Sequence, residues 1–149
     1  KGVIHCSTYE LSEWIQENIF DDRLIFHTPD NREEMLSKYL ASDKPLVIVS
    51  PSLVSGIDLK DDLSRFQIIL KIPYPYLGSN VVKSRQKTNK DWYSWKTISD
   101  MIQMSGRSVR SSDDWADTFI LDSCLSELLK YNSNSIPRWF SNSIKNMKI

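Results

Sequence analysis

The stretch Pro45–Ser50, Pro-Leu-Val-Ile-Val-Ser, constrains the fold of this chain more than any other. Four apolar residues in succession leave no side for water. A strand of that kind has both faces covered, which is the habit of parallel sheets wrapped by helices. Its neighbours in sequence fit such a sheet. Val3–Cys6 is a short apolar run, and Ser7-Thr8-Tyr9-Glu10 then supplies a capping-box pattern ahead of Leu11, Trp14, Ile15 and Ile19 at helical spacing. Leu24-Ile25-Phe26 predicts a second strand, closed by Thr28-Pro29. Asp30-x-x-Glu33 opens a further helix carrying Met35, Leu36 and Leu40. With Pro45–Ser50 third, Phe66–Ile72 and Thr118–Leu121 give the fourth and fifth strands. Strands alternating with helices predict an α/β domain built on a mostly parallel sheet.

Composition narrows the class without naming a function. A chain of 149 residues is long enough for one domain with a sizeable core. Nineteen basic and nineteen acidic side chains cancel, so attraction to a polyanion must come from local patches. Cys6 and Cys124 are too few and too far apart for a disulfide framework or structural zinc, and each is expected to be a buried thiol. His5 and His27 stand without metal-ligand company and read as satisfied strand-end histidines. No apolar run approaches the roughly 20 residues of a membrane span, and no signal-peptide pattern opens the chain. The expectation is an intracellular protein (cytoplasm or nucleoid, or the host cell if viral) with no membrane partner. A strand-like run almost at residue 1 fits a piece of something longer.

In open parallel sheets, ligands sit beyond the carboxyl ends of the strands. No Gly-x-x-x-x-Gly-Lys-Ser/Thr phosphate loop, the Walker A pattern, occurs in this sequence, so it cannot cradle a triphosphate in that manner by itself. Anion chemistry is nevertheless present. A helix over Ile98–Ser111, at about 100° per residue, puts Ile98, Ile102, Ser105 and Val109 on one buried stripe. Gln103, Arg107 and Arg110 then gather roughly 120–180° away from that stripe. Gly106 lies between the two faces, where glycine costs a helix about 1 kcal/mol relative to alanine. That cost points to a close approach to the backbone. Two forked, permanently charged donors beside a glycine form a receptor for phosphate, or else a solvated face with spare arginines; spacing alone leaves both readings open.

Gln103-Met-Ser-Gly-Arg-Ser-Val-Arg110, followed by Asp113-Asp114-Trp115 and an apolar strand, resembles motif VI of superfamily 2 helicases, most closely the DinG/XPD branch of DNA helicases. The resemblance implies a RecA-like, P-loop NTPase-type fold without its own Walker A loop: the second, C-terminal motor domain of an ATP-dependent DNA helicase, spanning residues 1–149. It implies that Gln103, Arg107 and Arg110 reach across an interdomain cleft to ATP. That ATP and its Mg²⁺ are then held mainly by an N-terminal motor domain of the same protein. Any iron–sulfur cluster would also belong to that half, since Cys6 and Cys124 cannot supply one. Ser55-Gly56-Ile57-Asp58 resembles motif V, where Gly56 lets backbone approach the nucleotide and Asp58 accepts from a ribose hydroxyl or orients an arginine. Family members carry an aromatic residue and a glutamate where Val54 and Ser55 stand here. Ser52 and Ser55 become candidate donors to DNA phosphate. Gly2–Tyr9 resembles the first motif of this domain, which makes Ser7 and Thr8 candidate backbone contacts, although an N-cap alone explains the same residues. The acidic pair Asp113-Asp114 is expected to cap a turn and pair with an arginine.

The stretch 73–90 reads as a loop-rich insertion, opened by Pro73–Gly78, which resembles the family's loop after the fourth strand, and 132–149 as a C-terminal extension. Lys83, Arg85, Lys87, Lys90 and Lys96 stand against Asp91, with Tyr74, Tyr76, Trp92, Tyr93 and Trp95 among or beside them. Basic side chains with aromatic faces suit single-stranded nucleic acid. Trp92 and Trp95 are expected to dock the long helix on the sheet, leaving Lys83 and Arg85 as nucleic-acid contacts. Single-stranded DNA or a duplex–single-strand junction is the implied partner, and DNA repair or replication the implied setting. A non-catalytic nucleic-acid-binding module of the same fold, and an RNA helicase or translocase, are the competing readings. The 149 residues alone are expected to hydrolyse no ATP.

Overall fold

The computed structural model describes residues 1–53, 59, 61–109 and 114–145, the side chain of Arg107 excepted. Within them the chain divides into two compact units, Lys1–Ile72 with Gln103–Asp122, and Pro73–Ile102 with Ser123–Ile149.

The first unit holds a five-stranded sheet of β1 (Gly2–His5), β2 (Leu24–Phe26), β3 (Val47–Ser50), β4 (Phe66–Ile69) and β5 (Asp117–Ile120). Their order is β2-β3-β1-β4-β5 and every pairing is parallel. All four residues of β3 are buried, as its uninterrupted apolar run demands. Alternation along the strands sorts the core into two layers. Val3, Ile25 and Ile48 pack with Leu36 and Tyr39 of α2 (Arg32–Ala41). Ile4, Leu24, Phe26 and Val49 pack with Leu11 and Ile15 of α1 (Tyr9–Asn18). The sheet is therefore covered on both faces.

Local chemistry sets the boundaries. The N-cap of α1 is Thr8, whose hydroxyl accepts from the Leu11 backbone N–H at 3.2 Å; Ser7, the expected capping-box residue, lies one position outside. Of the expected α1 stripe Ile15 is buried and Leu11 half-buried, while Trp14 and Ile19 are exposed. In α2 the buried pair is Leu36 and Tyr39, and Leu40 faces outward. Tyr39 is fully buried because its hydroxyl has partners, the carbonyls of Gly2 (3.2 Å) and Leu63. Gly2 is glycine for want of space: a Cβ there would come within 2.3 Å of the Phe66 ring. Strand β2 has the predicted bounds, β1 and β5 each begin and end one residue earlier than predicted, and β3 and β4 are shorter than their predicted runs, though Cys6 N–H still reaches the Ser50 carbonyl and Leu70 N–H the His5 carbonyl, each at 3.1 Å.

The second unit is helical. The predicted loop-rich insertion contains α3 (Asn80–Thr88), none of whose side chains is buried. It is followed by α4 (Lys90–Ser105), whose last three residues belong to the first unit, then α5 (Cys124–Tyr131) and α6 (Arg138–Ser143). Trp95, expected to be covered, is 55% exposed; Trp92 is half-buried with the Arg85 guanidinium 5.5 Å above its ring. Tyr93 stacks on Tyr74 at 5.9 Å and donates to the Pro75 carbonyl at 3.0 Å. Cys6 is buried as expected, and burial pushes its thiol up to about 11; Cys124 is exposed. No helix among the described residues is long and apolar enough to cross a membrane.

Candidate functional site

The carboxyl ends of β1 and β3 lie side by side, with His5 paired to Ser50. Two residues further along each chain, this places Ser7 and Ser52 at the same edge of the sheet. Ser7 and Thr8 are exposed at the amino end of α1. Glu10, in the first turn of that helix, has its carboxyl held below the usual carboxylate range by its own backbone N–H and by the Thr8 hydroxyl. Ser52 is half-buried and its hydroxyl accepts from Arg32 Nε at 3.1 Å.

Behind Ser52 the Ser50 hydroxyl accepts from the backbone N–H groups of Ser52 and Leu53, both at 3.1 Å, and lies 2.7 Å from His27 Nε2. With its lone pairs engaged, Ser50 donates to Nε2. The proton of His27 is thereby assigned to Nδ1, which donates to the Thr28 carbonyl at 3.1 Å. His27 is the satisfied strand-end histidine its sequence context predicts. Tyr9 meets it edge-on at 5.8 Å, and the two rings help to wall an open cleft of about 390 Å³ with Phe26, Gln16 and Asn31.

The segment predicted as one helix over Ile98–Ser111 is not one. Helix α4 stops at Ser105, Gly106–Ser108 form a 3₁₀ turn, and Val109 is extended at φ −126°, ψ 118°. The buried stripe is Thr97, Ile98, Met101 and Met104; Ile102 and Ser105 are half-buried and Val109 is 39% exposed. Gln103 is exposed. A Cβ at Gly106 would meet nothing within 4 Å, so no described part of this chain presses on that backbone. The glycine stands where the helix tightens and ends, a change its low helix propensity eases. Arg107 lies in the 3₁₀ turn. Its side chain, Arg110, Asp113 and the predicted motif V residues Ser55, Gly56 and Asp58 lie outside what is described.

Three side chains just before and within β4, none singled out by sequence, hold this turn and the chain beyond it. Gln67 Nε2 donates to the Ser105 carbonyl at 3.0 Å. Ser64 and Ser108, both fully buried, meet through their hydroxyls at 2.6 Å. Arg65 pairs with Asp114 at 2.6 Å, donates to the Trp115 carbonyl at 2.9 Å and lies over the Trp115 ring at 5.1 Å. The Asp114 side chain is 2% exposed. Asp114 of the acidic pair therefore engages an arginine, Arg65, while Asp113 lies outside the described residues. Asp61, held at φ 55° beside this cluster, directs its N–H to Asp114 at 3.4 Å. A buried serine pair and a polar residue inside an apolar strand were the available signals, and a sequence read for alternation passes over them.

In the second unit Lys83, Arg85 and Lys87 are exposed along α3, Lys90 is exposed at the start of α4, and Lys96 is tied to Asp100.

A family model described as helicase C-terminal domain matches residues 5–146 of this chain. The regulator of telomere elongation helicase 1 homolog of Caenorhabditis elegans is 26% identical over 115 residues, covering 66% of this chain and 11% of that protein. The ATP-dependent DNA helicase CHL1 of Saccharomyces cerevisiae is 25% identical over 150 residues, covering 82% of this chain and 17% of that protein. The chain thus spans between a tenth and a fifth of the length of these curated relatives. Among solved structures, apo XPD superposes with a TM-score of 0.71 at 19% identity, covering 90% of this chain and 30% of that one. Xpd4 of S. tokodaii gives 0.63 at 19% identity, covering 93% and 29%. The fold is the RecA-like α/β sheet of these helicases, and the relatives agree with the DinG/XPD-like resemblance.

Proposed function

This chain belongs to the helicase C-terminal domain family, and on that premise we propose that it is the C-terminal motor half of an ATP-dependent DNA helicase. In this reading Arg107 and Arg110, with Gln103, meet the triphosphate of ATP held by an N-terminal motor domain. Gly56, Asp58 and Gly106 line the same cleft. The observation that carries the reading is the turn Gly106–Ser108, which leaves α4 at the resemblance's glycine and is fastened by buried hydroxyls to Ser64, two residues before β4. A guanidinium can stabilise charge on a transferring phosphoryl group only from a backbone that does not wander. The sequence has no phosphate loop, and the described residues hold no group of three or more His, Cys, Asp or Glu suited to a metal ion. That the triphosphate and Mg²⁺ are held mainly by the other half is part of the same proposal.

Ser7, Thr8 and Ser52 at the carboxyl edge, Ser55, and Lys83 and Arg85 on α3 are proposed to hold the backbone of a DNA single strand. Opening and closing of the interdomain cleft on hydrolysis would turn two such grips into translocation. The test is ATP turnover by the full-length protein with single-stranded DNA. Arg107→Ala and Arg110→Ala should each lower kcat by about 10³–10⁵-fold. Arg→Lys should fail nearly as badly, because an ammonium keeps the charge and loses the planar fork. The 149-residue chain alone should show no turnover. If both alanine variants keep near-normal rates with normal folding, the arginines are not the receptor for the triphosphate; no turnover by the full-length protein itself would favour the non-catalytic nucleic-acid-binding reading.

A further inference from the structure

Gln67 is fully buried in a strand of otherwise apolar or half-buried residues. An amide in that place is costly unless its donors and its acceptor are all used. They are used. Nε2 lies 3.0 Å from the Ser105 carbonyl and 3.5 Å from Thr118 Oγ1, and Oε1 lies 3.0 Å from His5 Nε2. A carbonyl only accepts, so the amide must turn its NH₂ toward Ser105, and its oxygen then faces His5. An amide oxygen also only accepts. His5 must therefore carry its proton on Nε2.

The chemistry fixes both ends of the chain of contacts. At one end is the carbonyl of the last residue of α4, one of the four that a helix leaves without an intrahelical partner. At the other is the last residue of β1, directly before Cys6-Ser7-Thr8. Pinning Ser105 sets where α4 ends, and so the path of the turn that begins at Gly106. Ser108 is fastened separately to Ser64, so the turn is held at both of its ends.

We propose that Gln67 is a positioning residue, which locks the turn carrying Arg107 to the strand that delivers Ser7 and Thr8, so that the nucleotide-facing and DNA-facing segments keep one fixed geometry. The proposal rests on the functional reading above. In the full-length protein, Gln67→Met preserves the side chain's length and removes its hydrogen bonds. DNA-stimulated kcat should fall roughly 10–100-fold, as for a small misplacement of reacting groups. KM for ATP should change by less than about threefold, because binding by the other half is untouched. The double variant Gln67→Met with Arg107→Ala should be no slower than Arg107→Ala alone, since Gln67 acts through the turn that carries Arg107. A merely structural role would instead lower the folded fraction and multiply with Arg107→Ala.

Normal kcat for Gln67→Met beside an inactive Arg110→Ala overturns the positioning role alone. Normal kcat for Arg110→Ala overturns the nucleotide reading and this proposal with it. Should Gln67→Met fail to fold, nitrogen NMR of the ¹⁵N-histidine-labelled wild-type protein decides. His5 protonated on Nε2 is expected, and protonation on Nδ1 overturns the network.

Discussion

Two stretches of this chain are built on opposite principles. The turn after α4, with Asp114 beyond it, is held through Gln67, Ser64 and Arg65, side chains that are wholly or largely buried. Helix α3, nine residues long, buries no side chain at all and exposes Lys83, Arg85 and Lys87. Under the proposed function the difference suits two kinds of recognition. A group that must meet a phosphoryl oxygen needs a backbone fixed to a fraction of an ångström, which only buried, satisfied polar contacts supply. A surface that attracts a flexible polyanion by charge needs no such anchoring, because its energy comes from counterion release and tolerates movement.

The contrast can be broken most directly at Arg65. Arg65→Ala leaves the Asp114 carboxylate buried without its guanidinium, whereas Asp114→Asn leaves an arginine that is already 26% exposed and can return to water. Of all the single substitutions, Arg65→Ala should produce the largest fall in melting temperature, and Asp114→Asn a smaller one. Thermal unfolding followed by circular dichroism checks the order. Equal losses would mean that Asp114 is not the desolvated partner.

Single hydroxyls come next. Tyr39→Phe removes a donor whose acceptors are the Gly2 and Leu63 carbonyls, and Ser108→Ala removes the partner of Ser64. Each should cost about 1–2 kcal/mol, the worth of one buried hydrogen bond with its acceptor left behind. Urea titration measures this, and a neutral result for Ser108→Ala would release the turn from its second anchor.

On the other side of the comparison, Lys83→Ala and Arg85→Ala should each change stability by no more than about 0.5 kcal/mol. Their effect should appear in binding instead. With a few phosphate contacts, the log–log salt slope for single-stranded DNA should be roughly −1 to −3, and losing one contact should reduce its magnitude by about 0.7. Fluorescence anisotropy across a salt series reads it. An unchanged slope in both variants removes α3 from the proposed track.

The smallest perturbation is chemical labelling. At pH 8 a maleimide should modify Cys124 and spare Cys6 until the protein unfolds, because burial keeps the Cys6 thiol protonated up to about 11. The sign for stability follows. A thiol whose folded value exceeds its ordinary 9.0 costs nothing below that value and destabilises increasingly as pH climbs from 9.0 toward 11. Rapid labelling of Cys6 in the folded chain would contradict the packing around β1.

What the sequence determined by itself is the part of the protein governed by short-range pattern. An apolar run at Leu46–Val49 can only be a doubly covered strand, and the order of strands, helices and motif-like segments along the chain follows from local periodicity and capping chemistry. Family membership was legible too, because Gln103–Arg110 keeps an ordered set of residue types. Tertiary structure alone decided where α4 ends and which of its faces is buried. A 3.6-residue period fits Ile98, Ile102, Ser105 and Val109 as readily as Thr97, Met101 and Met104, and Gly106 marks a weak point without saying that the helix stops there. The decision came from residues about 40 positions away in the chain, Ser64 and Gln67, whose buried polar groups needed partners that only the folded sheet brings within 3 Å. Periodicity records which side chains avoid water; it holds no record of which distant carbonyl a buried amide will find.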